Sequence, residues 1–305
     1  MIAFVIDGLT FANMPGDLIR PASLKPGDKV AIVAPARSIT FAEIHPAIRF
    51  FTRYEMEVVL GSYIFNTHHQ FAGSDDQRRR DLQKMMDDDE IRAIICARGG
   101  YGILRIIDQL DFTKFCSNPK WIVGYSDVTV LHAHIHQHFG VETLHALMPY
   151  NMGRDPSQDA LETLIDALKG EPFSYEWKSS PLNRPGDAEG ILVGGNLSIL
   201  YALSGSASSP DTAGKILFIE DLDEYLYHLD RMMLNLKRSG KLEKLAGLLV
   251  GGLTDMHDNP VPFGKTAQEI IAAAVQGYDY PVCFDFPAGH IDNNLALILD
   301  RKSVV

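Results

Sequence analysis

Apolar runs, amphipathic stretches and turn signals alternate along the first half of the chain. Val30-Ala31-Ile32-Val33-Ala34 is an unbroken apolar run launched by the polar turn Lys25-Pro26-Gly27-Asp28. Such a run predicts a strand buried on both faces of a parallel sheet. The spacing then predicts a helix over 42–54, a short strand over 58–60, and a charged helix over 75–87 with Leu82, Met85 and Met86 inward. Residues 91–97 form a further apolar strand, stopped by Arg98-Gly99-Gly100-Tyr101-Gly102, and 121–124 form a fourth. Tyr125-Ser126 follows at once, with a helix expected over 127–138. Strands alternating with helices predict α/β architecture, here an N-terminal parallel-sheet (Rossmann-like) domain.

The stretch 171–189 is rich in Pro, Ser and Gly and reads as a linker. It separates an N-terminal domain, 1–170, from a C-terminal α/β domain, 190–305. In the latter, strands are expected over 215–220, 245–253 and 282–286, with helices over 225–238 and 266–275. The 305 residues suit two domains of roughly 150 residues each. Residues 1–20 are a leader with no assigned role.

Composition acts mainly by exclusion. Lys and Arg total 28 against 39 Asp and Glu, a formal charge of −11. That sign disfavours a broad basic face, so neither nucleic acid nor a membrane surface is an expected partner. The apolar start of the chain is interrupted by Asp7 and meets its first positive residue only at Arg20, unlike a secretory signal. A cytoplasmic location is expected. The three cysteines, Cys96, Cys116 and Cys283, form no CxxC pair and no disulfide framework. Cys96, within Ile94-Ile95-Cys96-Ala97, reads as a small buried hydrophobe.

Candidate chemistry centres on Gly124-Tyr125-Ser126-Asp127, where a strand runs directly into a serine and a helix. That placement exposes a nucleophile beside helix N-terminal N–H groups suited to an oxyanion. The elbow is partial, because Val128 stands where a second glycine is usual, and a plain helix cap is the alternative for Ser126. Among eleven histidines, His132 and His136 have zinc-compatible spacing, but no intervening Glu or third ligand accompanies them. They read as a helix face. His290, in a turn after an apolar strand, is the better candidate base. Glu220, at the end of 215–220, is the first choice to orient it, with Asp221, Asp223 and Glu224 as competitors. The Gly99-Gly100 turn allows close backbone approach, either as a second oxyanion donor or as a tight turn. Gly194-Gly195-Asn196-Leu197-Ser198 reads as a turn and helix start or as a ligand loop. Arg98 and Arg231 could each hold a carboxylate.

Taken in order, 98–102, 124–127, 194–198, Glu220-Asp221 with Asp230-Arg231, and Gly289-His290 resemble the motifs of the LD-carboxypeptidase family of serine peptidases. That family includes muramoyltetrapeptide carboxypeptidases and microcin C immunity peptidases. The resemblance runs from Pro21 to the end of the chain. It implies a homodimeric two-domain enzyme with its active site at the domain interface and no metal or cofactor. Ser126, His290 and Glu220 would form the triad, with backbone N–H groups of Asp127, Gly99 and Gly100 as the oxyanion hole. Arg98, Tyr101, Asn196 and Arg231 would contact a murein peptide, from which the terminal D-Ala is removed. The alternatives are a microcin-type peptidase acting on a peptidyl-nucleotide, a non-catalytic cell-wall-peptide-binding protein and, last, a metal-dependent hydrolase. The peptidyl-nucleotide reading needs an aromatic platform, for which Trp121 and Trp177 are the tryptophans available. The stretch 293–299 departs from the family in lacking the Pro and Gly expected after the histidine.

Overall fold

The computed structural model describes residues 2–5 and 18–304. In chain order the first strands are β1 (Ile2–Val5), β2 (Lys29–Val33), β3 (Glu57–Leu60), β4 (Ile91–Cys96), β5 (Trp121–Val123) and β6 (Thr143–His145). They are followed by β7 (Ser174–Trp177), β8 (Glu189–Asn196), β9 (Ile216–Leu222) and β10 (Gly247–Thr254). The last three are β11 (Val282–Cys283), β12 (Leu297–Leu299) and β13 (Lys302–Val304). Two sheets result, ordered β12-β6-β5-β4-β2-β3 and β11-β10-β9-β8-β13-β1-β7.

The pairs among β2 to β6 are parallel, as are those linking β8, β9, β10 and β11. Burial explains the unbroken apolar runs. Val30 and Ile32 of β2 pack with Ala93 and Ile95 of β4 in one core, while Ala31, Val33, Ile94 and Cys96 enter another on the opposite face. A strand covered on both faces has no polar side to alternate with. In the second sheet Leu217 and Ile219 face one core and Ile216 and Phe218 another. Cys96 is fully buried, and burial drives its thiol far above the usual range. Both tryptophans are core residues. Trp121 donates its indole N–H to Ala22 O at 3.1 Å, and Trp177 donates to Phe284 O at 3.3 Å.

Several elements depart from the pattern reading. The helix expected over 127–138 is a 3-10 turn, Ser126–Val128, followed by the helix Thr129–Phe139. Gly194 and Gly195 lie within β8, whose last residue, Asn196, caps the helix Leu197–Ala202. Ser174–Trp177, in the stretch read as linker, is a strand. Of the leader, Ile2–Val5 pairs antiparallel with β7 and β13, and residues 6–17 lie outside the described residues. The tail crosses back: β12 pairs with β6 of the first sheet. Ala296 and Ile298 thereby enter a first-sheet core, and Leu295, Leu297 and Leu299 a second-sheet core. One alternating segment ties the two layers together. Among the described residues no helix is long and apolar enough to cross a membrane.

Candidate active site

The carboxyl ends of parallel strands converge on one cavity of about 420 Å³ between the sheets. Ligand sites of α/β folds form at this edge because the strand-to-helix loops open there. The loop after β2 contributes Arg37, that after β4 Arg98, Gly99 and Gly100, and that after β5 Ser126. From the second sheet, β8 contributes Asn196, β9 Asp221, and the turn after β11 His290.

Ser126 is half-buried and sits at φ 64°, a left-handed conformation that costs a non-glycine residue about 1–3 kcal/mol. Its neighbours are tied on every side. Gly124 O is hydrogen-bonded to His132 Nε2 at 2.8 Å, and Asn151 Nδ2 donates to the Tyr125 hydroxyl at 2.9 Å. Asp127 is buried and accepts the Ile103 N–H at 2.9 Å. Burial pushes that carboxyl up to about 6 against the pull of the Ile103 bond. Arg78, wholly buried, donates to Pro35 O at 2.6 Å and to Gly102 O at 2.9 Å, clamping the far end of the glycine loop. No side-chain cap bond forms at Ser126–Val128 or at Thr129–Phe139, so the plain cap reading of Ser126 fails.

Gly99 packs directly against the serine. A Cβ there would lie 2.7 Å from Ser126 Cβ and 2.8 Å from its Oγ, and 3.4 Å from the Asp127 nitrogen. Among the described residues the Gly99 and Gly100 N–H groups donate to no other group of the chain.

His290 and Glu220 form the hydrogen-bonded acid–imidazole pair of the site, with Glu220 fully buried. His290 Nδ1 meets Glu220 Oε2 at 2.6 Å, and the His290 backbone N–H donates to the same oxygen at 3.3 Å. Burial pushes the Glu220 carboxyl up, but the His290 charge and hydrogen bond outweigh it and hold it below its ordinary value. Burial likewise pushes His290 down, and the Glu220 charge and bond override that and raise it. The ring is steadied edge-on by Tyr125, 4.7 Å between centroids. Ser126 and His290 line the same cavity without a hydrogen bond between them; such contacts are often long until a substrate is bound.

Of the four candidate acids, Glu220 alone reaches His290. Asp221 is buried and accepts from Asn196 Nδ2, Ser198 N and Leu222 N, each at 2.9 Å. Burial and the neighbouring Glu220 raise it to about 7. Asp223 pairs with His257 and Glu224 with His228, each at 2.5 Å.

Asn196 lines the cavity, but its side chain is committed to Asp221 and to capping, and its N–H donates to Thr129 Oγ1 across the two sheets. Two predicted contacts lie elsewhere. Tyr101 is exposed beside Phe71, and Arg231 stacks its guanidinium over Tyr227, 5.2 Å from the centroid; neither lines the cavity. Residues that pattern reading missed include Arg37, Arg78 and Tyr150. Arg37 had a legible signal: it follows the carboxyl end of the first parallel strand. His132 is buried, and burial lowers it to about 4, so the ring is neutral at pH 7. His136 is engaged by Asp300 and Lys215 and His132 by Gly124 O, so the two rings take different partners despite the zinc-compatible spacing. Among the described residues no group of three His, Cys, Asp or Glu side chains is placed to hold a metal ion.

Comparison with known proteins gives a consistent picture. Residues 30–146 match the model of the LD-carboxypeptidase N-terminal domain, and 189–305 match that of the C-terminal domain. The chain is 37% identical over 294 residues to the "Probable murein peptide carboxypeptidase" of Bacillus subtilis, covering 94% of this chain and 91% of that protein. It is 25% identical over 321 residues to the microcin C7 self-immunity protein MccF of Escherichia coli, covering 93% and 92%. The crystal structure of muramoyltetrapeptide carboxypeptidase from Oxalobacter formigenes superposes with a TM-score of 0.82 at 28% identity, covering 90% of this chain and 97% of that one.

Proposed function

The chain belongs to the LD-carboxypeptidase family of serine-type carboxypeptidases, and on that premise we propose that it removes the terminal D-Ala from murein tetrapeptide during cytoplasmic cell-wall recycling. The single observation that carries this reading is the hydrogen-bonded His290–Glu220 pair sharing one cavity with Ser126 at its left-handed turn. Ser126 Oγ attacks the carbonyl at the L-centre of the dibasic residue. His290 takes the hydroxyl proton and returns it to the leaving D-Ala nitrogen, while Glu220 holds the imidazole in the required tautomer. The tetrahedral oxyanion is received by backbone N–H groups of Asp127, Gly99 and Gly100. Water then cleaves the acyl-enzyme by the same base. The active unit in this reading is a homodimer of two-domain chains, 1–170 and 190–305. Arg98 contributes to substrate contact; Tyr101 and Arg231, which do not line the cavity, are given no part in it.

The test is incubation of the protein with murein tetrapeptide and detection of tripeptide and free D-Ala by mass. Absence of both products would sink the proposal. Sizing the native protein by light scattering checks the dimer. A peptidyl-nucleotide substrate is less well supported, since Trp121 and Trp177 are both occupied in cores and leave no indole for a base to stack on.

The Gly99 contact makes a further prediction. Gly99→Ala is expected to lower kcat by about 100-fold, since a methyl at 2.7–2.8 Å from Ser126 must displace the nucleophile or the loop. Steady-state kinetics beside a thermal melt checks it. An unchanged kcat would mean that this approach does not set the position of the serine.

A further inference from the structure

An exopeptidase must tell a terminal carboxylate from a continuing peptide, and for that it needs a cation close to its nucleophile. Apart from His290, the cavity walls carry two cations, Arg37 and Arg98. They are not equivalent. Arg98 donates to Ser38 O at 3.1 Å and sits over the Tyr150 ring, 4.1 Å from its centroid. Arg37 is exposed and, among the described residues, its guanidinium has no hydrogen bond or ion pair. Its stem crosses Gly100, which sits at φ 110° and where a Cβ would run into Arg37 Cγ and Cδ. Glycine at 100 therefore makes room for Arg37, while glycine at 99 makes room for Ser126. The two contacts stand one peptide step apart, about 3.8 Å along the chain.

We propose that Arg37 reads the free carboxylate of the leaving amino acid and so makes the site specific for a substrate's C-terminus. The assignment rests on the LD-carboxypeptidase reading above. In a peptide ending in D-Ala the carboxylate lies three covalent bonds from the carbonyl that Ser126 attacks, which suits a cation beside the serine's own loop. The remaining charged residues of the cavity do not compete for that role. Asp221, Asp223 and Glu224 also line the cavity, but each is hydrogen-bonded within the chain, and none of them offers a carboxylate a cationic partner as Arg37 does. A free guanidinium edge then offers two parallel N–H donors to the two oxygens.

The experiment compares kcat/KM for murein tetrapeptide and for its C-terminal amide. Wild type, Arg37→Gln, Arg37→Lys and Arg98→Gln are each measured on both. Wild type is expected to prefer the acid strongly. Arg37→Gln should lose about tenfold or more of that preference, chiefly through KM on the acid and with little change on the amide. Arg37→Lys should fall between, because a point charge cannot make the paired bonds. Arg98→Gln should keep the wild-type ratio of acid to amide whatever its absolute rate. An Arg37→Gln enzyme that retains the wild-type ratio overturns the assignment while leaving the peptidase reading intact. A wild type that releases neither D-Ala from the acid nor D-alaninamide from the amide overturns both.

Discussion

Replacing Ser126 with alanine is expected to lower kcat on murein tetrapeptide by about six orders of magnitude. The size follows from what is lost. Without Oγ there is no acyl-enzyme, and His290 and Glu220 have no hydroxyl to activate; the residual rate comes from binding and the oxyanion donors alone. The substitution is structurally mild. Alanine is no worse than serine at φ 64°, and Ser126 caps neither the turn nor the helix that follows it. The ties at Gly124, Tyr125 and Asp127 are made by other groups and persist. Single-turnover release of D-Ala, followed alongside a thermal melt, is the decisive measurement. A variant that keeps its melting temperature and loses less than tenfold in rate would remove Ser126 from the chemistry.

Glu220→Gln is the second large effect, with an expected fall in kcat of about 10⁴-fold. Glu220 is fully buried, and its carboxylate takes both the imidazole and the backbone N–H of His290 on one oxygen. An amide can present its NH₂ group to Nδ1 and stabilise the wrong tautomer, leaving Nε2 protonated and unable to act as a base. The pH profile should move as well. His290 must be neutral to accept a proton, so kcat/KM falls as pH drops through its pKa. Glu220 raises that pKa in the native enzyme against the opposing effect of burial. With the charge gone, burial prevails and the acid limb shifts to lower pH. A profile of kcat/KM from pH 4 to 9 for both proteins distinguishes this from simple damage to the fold, which would scale the rate without moving the limb. An unshifted limb would mean that Glu220 does not set the state of His290.

The elements that pattern reading found share one property: their order is written locally. The run 30–34 and the helix over 75–87 could be read because burial on two faces, or on one helical face, leaves its period in neighbouring residues. The observed helix Asp75–Asp87 has the predicted bounds, with Ser74 and Gln77 as its capping box. Two short buried strands left no such trace. Thr143–His145 and Leu297–Leu299 are three residues each and show no period, whereas the equally short Trp121–Val123 is marked by the serine turn that follows it. Arg231 lies outside the cavity for a related reason. Its place beside Glu220 in the motif order says nothing about which way its helix faces, and its guanidinium lies over Tyr227.

By itself the sequence determined the parallel α/β class, the family, and the strand-to-serine junction at 121–126, because each depends on residues adjacent in the chain or on an ordered set of short motifs. Tertiary structure alone decided which of four neighbouring acids meets His290, which partners engage His132 and His136, and that Arg37 rather than Arg231 stands over the glycine loop. Those outcomes depend on which strand ends share an edge. Glu220 and His290 are seventy positions apart, and no local period carries the register that brings them within 2.6 Å.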